Sequence, residues 1–318
     1  MYKKVVVFGG GTGISYLLRG LKDFPVDITA VITVADNGKS TGILRKEFNI
    51  PAVGDIRKVI TNLSQTDKPI KDMMSYRFKT SSDLDGHAVG NLILTAMLEI
   101  TGSLKDSIYY LSKLLDVRHK VLPVSEDNDL TLCGQTSDGE VIIGQRQITL
   151  AHKKIEKIYY KKEPKVLDEV IDAINEADLI ILSMGSLLTS VLPNIICKKV
   201  KSALEGSKAP IMYLCNIFTQ PGETDNFKVS DHIKMINGYL INRKVDVVIA
   251  NSSKVNKKMA KKYETEEQKD PVLIDKKELK ELDIELISDN LIELDTDNTL
   301  KHNSLKLSSI IFSYLMRN

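Results

Sequence analysis

Lys4-Val5-Val6-Val7-Phe8-Gly9-Gly10-Gly11-Thr12-Gly13 leads directly into Ile14-Ser15-Tyr16-Leu17-Leu18-Arg19-Gly20-Leu21. The first five residues are a continuous apolar, mostly β-branched run. Such runs mark strands buried on both faces, and therefore parallel sheets. The apolar spacing after Gly13 is helical. A second strand follows at 27–34, so the unit is β-loop-α-β, the building block of a parallel sheet with crossover helices.

Working outward, helical patterns occupy 55–63, 88–100 and 104–115. The texture then changes. Residues 130–135 and 140–149 read as strands joined through Ser137-Asp138-Gly139, a hairpin signal, with a third strand at 155–159. The α/β rhythm resumes with a helix at 166–176 and strands at 179–182, 211–215 and 245–250. The fold expected is α/β and Rossmann-like: a parallel sheet with helices on both faces and a small antiparallel insertion. One domain covers 1–318, with a β-rich insertion at 118–162. A lysine-rich C-terminal elaboration at 251–318 is less regular and closes in an amphipathic helix near 305–316.

Bulk properties narrow the function. The chain has 318 residues, 42% of them hydrophobic, with no Trp and 6% aromatic, so the core must be mostly aliphatic. Lys and Arg number 44 against 42 Asp and Glu. That balance gives no electrostatic drive toward nucleic acid or an anionic membrane. The apolar run after Met1-Tyr2-Lys3-Lys4 is too short for a signal peptide and ends in glycines, and no later stretch suggests membrane insertion. Cys133, Cys197 and Cys215 are widely spaced and form no metal signature. The expected location is cytoplasmic.

In open parallel sheets, ligands sit outside the carboxyl ends of the strands. Small and polar residues collect at those ends here: Gly9 to Gly13 after the first strand, Ser183 to Ser186 after 179–182, Asn216 after 211–215 and Asn251 after 245–250. The glycine loop opens a helix, whose first N–H groups are unpaired and whose dipole favours an anion. Thr12 adds a hydroxyl. The alternative is a tight strand-to-helix turn with no ligand. The loop is neither a Walker A sequence nor a strict dinucleotide fingerprint, because Ile14 stands at the third glycine position.

Asp36-Asn37-Gly38-Lys39-Ser40-Thr41-Gly42 closes the second strand. Asp36 suits ribose hydroxyls or a divalent cation such as Mg²⁺ beside phosphates, or else an ordinary Asx turn. Asp55 and Arg57 either meet the same cleft or serve as helix-start charges. His87, flanked by Gly86 and Gly90 and followed by Asn91, sits at a helix start, as a base or as a capping residue. The loop from Asn216 through Thr219 and Gln220 to Asp225 is dense in hydrogen-bonding groups. Cys215 has apolar neighbours and reads as an inert thiol.

In order along the chain, these segments resemble the YvcK/CofD-like family, nearer its YvcK branch. The carrying residues are Gly9–Gly13, Ala35-Asp36-Asn37-Gly38, Gly54-Asp55-Ile56-Arg57, Gly86-His87 through Asn91-Leu92, Gly185-Ser186 through Asn194, and Cys215-Asn216 through Asp225. Tyr263 matches a family tyrosine and Lys301 stands where the family often has Arg, two positions that by the resemblance reach the ligand. The resemblance implies a Rossmann-like fold and binding of a UDP-sugar such as UDP-N-acetylglucosamine. It implies a gluconeogenesis factor that supports growth and cell shape on gluconeogenic carbon, without an established reaction. Cell-wall synthesis or regulatory proteins, and a second copy of the chain in a homodimer, are the partners it leaves open. The CofD branch implies instead a metal-dependent 2-phospholactate transferase, for which Asp36, Asp55 and His87 are the catalytic candidates. Where the family loop usually reads Asp-Asp-Gly-Gly-Ser-Ser-Gly, this chain has Asn37 and Lys39. A nucleotide-binding regulator is therefore the leading expectation, the transferase second, and a dinucleotide oxidoreductase last. NAD enters as an incidental ligand through its shared pyrophosphate.

Overall fold

The computed structural model describes residues 2–295 and 299–317. Its first half runs β1 (Lys3–Gly9), α1 (Gly11–Leu21), β2 (Val26–Ile32), α2 (Lys39–Phe48), α3 (Gly54–Leu63), α4 (Lys68–Ser75), α5 (Val89–Thr101), α6 (Leu104–Leu114) and β3 (Lys120–Pro123). An antiparallel unit follows: β4 (Leu132–Thr136), β5 (Val141–Ile143), α7 (Gln145–Leu150) and β6 (Ile155–Tyr160). The chain then continues through α8 (Asp168–Asn175), β7 (Leu179–Leu182), a π-helical turn at Leu187–Val191, α9 (Leu192–Ile195), α10 (Lys198–Gly206), β8 (Ile211–Leu214), α11 (Val229–Leu240) and β9 (Val247–Asn251). It closes with α12 (Lys257–Glu267), α13 (Lys276–Glu281), β10 (Glu285–Asp289), the pair β11 (Ile292–Leu294) and β12 (Leu300–His302), and α14 (Ser304–Leu315).

Among the described residues, seven strands form one sheet in the order β10-β9-β8-β7-β1-β2-β3, every pairing parallel. Each buried strand feeds two cores. Val5 and Val7 of β1 join an apolar cluster with α1, α3, α5, α6 and α14 on one face. Val6 and Phe8 join the cluster beneath α8, α9, α10 and α11 on the other. This alternation is why the run reads as uninterrupted hydrophobicity.

Three expectations shift. The reading of 140–149 as a strand holds only for Val141–Ile143, since Gln145–Leu150 turns into helix after Gly144 at φ 104°. Lys120–Pro123, placed with the insertion by its sequence texture, pairs with β2 as an edge strand of the main sheet. The C-terminal region is more than an elaboration: β10 pairs with β9 as the opposite edge strand. Its last helix, α14, packs on α1 across Gly20, where a Cβ would meet the Ser304 and Ser308 hydroxyls.

The chain lays β2 and β3 on one side of β1 and β7 to β10 on the other. The strand order therefore reverses between β1 and β7. At such a point the loops leaving two adjacent strands diverge and open a crevice.

Candidate functional site

The glycine loop lies at that reversal. Asn194 donates from its side-chain amide to the Gly9 carbonyl at 3.1 Å, fixing the end of β1. Two of the glycines answer to packing. A Cβ on Gly9 would overlap the Ser183 hydroxyl, and one on Gly13 would overlap the Met184 carbonyl. Gly11, at φ 66°, makes the turn into α1. Gly10, the residue that caps α1, supplies no side-chain hydrogen bond, so the first amides of α1 stay available to a ligand.

Three more helices begin at the same edge. The residues preceding α2, α3 and α5 (Gly38, Val53 and Ala88) also offer no side-chain cap. Their first turns carry Ser40, Thr41, Arg57, Lys58 and Asn91, which line a cleft of about 860 Å³ together with Asp36, Arg77, Asp85 and Arg146. Three uncapped helix starts on this cleft, and a fourth at the glycine loop along the same edge, make a positive field suited to an anion. On the far side of the glycine loop, Thr12 and Gly13 border a smaller hollow of about 170 Å³ with Tyr16, Asn216, Phe218 and Lys301. The loop borders the smaller hollow, and Asp55, set against Gly10 and paired with Lys58 of the cleft wall, stands between the loop and the larger cleft. Other hollows, of about 680 Å³ between β6 and α11 and about 620 Å³ at the amino ends of β1 and β2, lie away from this edge.

Acidic groups complicate the field. Asp55 approaches the loop, with one carboxylate oxygen 3.1 Å from where a Gly10 Cβ would stand. Lys58 pairs with it at 3.0 Å. Asp36 accepts from the Gly38 amide at 2.8 Å. Burial raises the Asp36 carboxyl above the usual range, and the Asp55 charge raises it further. Two carboxylates beside an anion site fit a hard divalent cation that takes its remaining ligands from phosphate. Among the described residues, no group of three His, Cys, Asp or Glu forms a complete metal cage.

Several expected residues stand behind the cleft. His87 is buried and contacts Ser40 through Nδ1 at 3.2 Å. Asn91 donates to Ser40 at 3.4 Å and accepts from Arg57 Nε at 3.2 Å. This chain of contacts orients the cleft's polar rim. Asn37 turns toward the insertion: it accepts from the Arg146 amide at 2.8 Å and donates to Gln147 at 2.9 Å, capping α7 from a distance. An aspartate could not donate that second bond. The side chain of Lys39 lies outside the described residues.

On the other side, Asn216 donates to the Gly185 carbonyl at 2.8 Å. Ser186 donates to Glu223, which is buried and also accepts from the Leu188 amide at 3.1 Å and from Gln220 at 3.3 Å. Burial raises the Glu223 carboxyl, and these donors offset part of that rise. Thr219 is tied to Asp270 through both its amide and its hydroxyl. Tyr263 stacks on Phe218 with centroids 4.3 Å apart and accepts from the Leu300 amide at 2.9 Å. Gly185, Ser186, Thr219, Gln220 and Tyr263 therefore support the small hollow, and Lys301 reaches its mouth over the Tyr16 ring. Cys215 is buried, which pushes its thiol well up and leaves it inert as a nucleophile.

Sequence reasoning passed over Tyr16, Lys58, Arg77, Arg146 and Phe218. Tyr16 and Lys58 follow recognised motifs by one helical turn, a spacing that places them on the motif's own face. Arg77 and Arg146 carry no local signal, since irregular chain and the insertion deliver them.

A family model described as 2-phospho-L-lactate transferase CofD matches residues 5–292. A gluconeogenesis factor from Halalkalibacterium halodurans is 43% identical over 310 residues, covering 97% of this chain and 95% of that protein. A gluconeogenesis factor from Bacillus subtilis is 41% identical over 313 residues, covering 98% of each. A crystallised member of the UPF0052 family from Bacillus halodurans superposes with a TM-score of 0.93 at 42% identity, covering 97% of this chain and 99% of that one.

Proposed function

The chain belongs to the CofD/UPF0052 family, and from that premise we propose that it is a nucleotide-sugar-binding regulatory protein rather than an enzyme. The observation that carries this reading is the row of uncapped helix starts at one sheet edge, the glycine loop's on the smaller hollow and three others on the larger cleft beyond Asp55. A diphosphate lies over the α1 amides. The base and ribose enter the smaller hollow, beside Tyr16, Phe218, Asn216 and Lys301. The sugar occupies the larger cleft. UDP-N-acetylglucosamine is the ligand expected, and NAD is admitted incidentally through the same pyrophosphate.

Asp36 and Asp55 together would hold Mg²⁺ against the ligand phosphates, where the ion supplies charge neutralisation. Without it the two carboxylates oppose the diphosphate. The relatives' name, gluconeogenesis factor, supports a role in gluconeogenesis, and the family resemblance extends that proposal to growth and normal cell shape on gluconeogenic carbon.

Calorimetric titration with UDP-N-acetylglucosamine in Mg²⁺ tests the reading. One site per chain is expected, weakened by EDTA and by Asp36→Asn. The absence of heat at millimolar ligand in either buffer defeats it.

The Asp36 and Asp55 pair beside the loop favours a second reading, a metal-dependent transferase acting on a nucleoside diphosphate ester. Turnover of such an ester, lost in Asp36→Ala, would establish that reading in place of the first.

A further inference from the structure

Arg57 is 4% exposed, yet among the described residues no carboxylate lies within ion-pair distance of its guanidinium. Its hydrogen bonds go to neutral oxygens, Asn91 Oδ1 at 3.2 Å and Ser75 Oγ at 3.5 Å, leaving three of its five N–H donors unspent. Burial, reinforced by the neighbouring Arg77 and only partly opposed by Asp55, lowers its pKa to about 10. Among the described residues Arg77 has no ion-pair partner either. Its Nη1 donates to the Gly86 carbonyl at 2.6 Å, and its backbone is bridged to Ala88. Both side chains border the same cleft, and Arg146 joins them there.

Buried charges are ordinarily paired, because removing a lone ion from water costs several kcal/mol. Arg57, buried in that condition and set beside the like charge of the exposed Arg77, asks for a counter-charge from outside the chain. A guanidinium's planar fork of donors matches a carboxylate or a phosphate. The carboxylates nearest the glycine loop are otherwise engaged: Asp55 with Lys58, and Asp36 with the Gly38 amide. Asp85, the remaining acid on the cleft, accepts from the Thr80 amide at 3.1 Å.

We propose that Arg57 and Arg77 form a second anion subsite, so that what fills the sugar end of the cleft carries a carboxylate or phosphate beyond the diphosphate. This rests on the nucleotide-sugar reading for its orientation, but the subsite follows from the arginines themselves. The acid belongs either to the nucleotide sugar or to a small acid bound beside it.

The test is calorimetry with UDP-glucuronate and UDP-glucose, which differ by one carboxylate, on the wild-type protein and on Arg77→Gln. Arg77 is exposed and bonds only a backbone carbonyl, so its loss spares the core. If the acid is on the sugar, UDP-glucuronate binds wild type at least about tenfold more tightly, the usual worth of one charge-assisted bond. That preference disappears in Arg77→Gln. If the acid is a separate molecule, the two UDP-sugars bind alike. The UDP-glucose complex then takes up one inorganic phosphate, and Arg77→Gln abolishes that uptake.

Equal binding without phosphate uptake overturns the subsite and leaves the nucleotide-sugar reading standing. If neither UDP-sugar binds, that reading fails, and inorganic phosphate alone decides the subsite by binding wild type and not Arg77→Gln. A second variant reads the same physics without ligand. Arg57→Met should raise the unfolding midpoint of the free protein, because it removes a buried unpaired charge. A lowered midpoint would mean that Arg57 is already compensated, and would count against the subsite.

Discussion

Asn194, sealed in the core of the opposite face, donates its side-chain amide to the carbonyl of Gly9 at 3.1 Å. The same nitrogen also reaches the Ser190 carbonyl at 2.8 Å. One buried side chain of α9 therefore ties the end of β1 to the π-helical turn at Leu187–Val191 and holds both walls of the crevice at the strand reversal. Asn194→Ala takes one donor from the Ser190 carbonyl and one from the Gly9 carbonyl, which keeps the Thr33 amide at 3.3 Å, and should cost about 1 kcal/mol. Urea unfolding measures it. Nucleotide-sugar affinity should fall as well, since the loop loses its anchor. An Ala variant with unchanged stability and affinity would show the bond to be dispensable.

The glycines of the loop differ in what they do, and substitution separates them. Gly11→Ala meets open space, with Asp55 no nearer than 3.7 Å, so its penalty is the positive φ of 66°. That penalty is about 1–2 kcal/mol. Gly13→Ala drives a methyl group into the Met184 carbonyl. Backbone yields poorly, so the loss should exceed the ~1–3 kcal/mol usual for overpacking. The two single variants, compared by chemical denaturation, should rank Gly13→Ala well below Gly11→Ala. Equal losses would mean that the loop moves away from β7 at little cost.

This division explains what the sequence could and could not disclose. The run Val5 to Phe8 announces a doubly buried strand because each face has its own core, and local pattern suffices for that. The glycines announce close approach, but not to what. Gly9 and Gly13 approach the chain leaving β7, some 170 residues away, and only the fold brings the two together. Short edge strands escape notice for the same reason. Lys120–Pro123 and Glu285–Asp289 are strands because β2 and β9 offer partners, not because their composition demands it. Asn37 marks the limit of reasoning by motif. As a missing carboxylate it weakens a metal site, whereas in the fold its amide caps α7 through Arg146 and Gln147. Arg57 was visible beside Gly54-Asp55, but its lack of a counter-charge is a property of the folded cleft.

His302 forms part of the lining of the small hollow, where it is buried and bonded through Nε2 to the Cys215 carbonyl at 3.1 Å. Burial lowers its pKa from 6.5 to about 4, and the Cys215 carbonyl offsets only part of that effect. The folded chain thus keeps His302 neutral across a range where the unfolded chain protonates it. Between those two values the unfolded state binds more protons, so stability rises with pH. The contribution is complete above pH 6.5 and is lost as pH falls toward 4, reaching a loss of about 2 kcal/mol at pH 5. His119 and His232, also lowered by burial, act in the same sense. The raised carboxyls of Asp36 and Glu223 act in the opposite sense. A difference experiment removes all of these. His302→Gln keeps a donor for the Cys215 carbonyl but cannot titrate. Between pH 7.5 and pH 5, wild type should therefore lose about 2 kcal/mol more than the variant in urea unfolding. Parallel losses would place the His302 imidazole in contact with water, and with it the floor of the hollow assigned to the base and ribose.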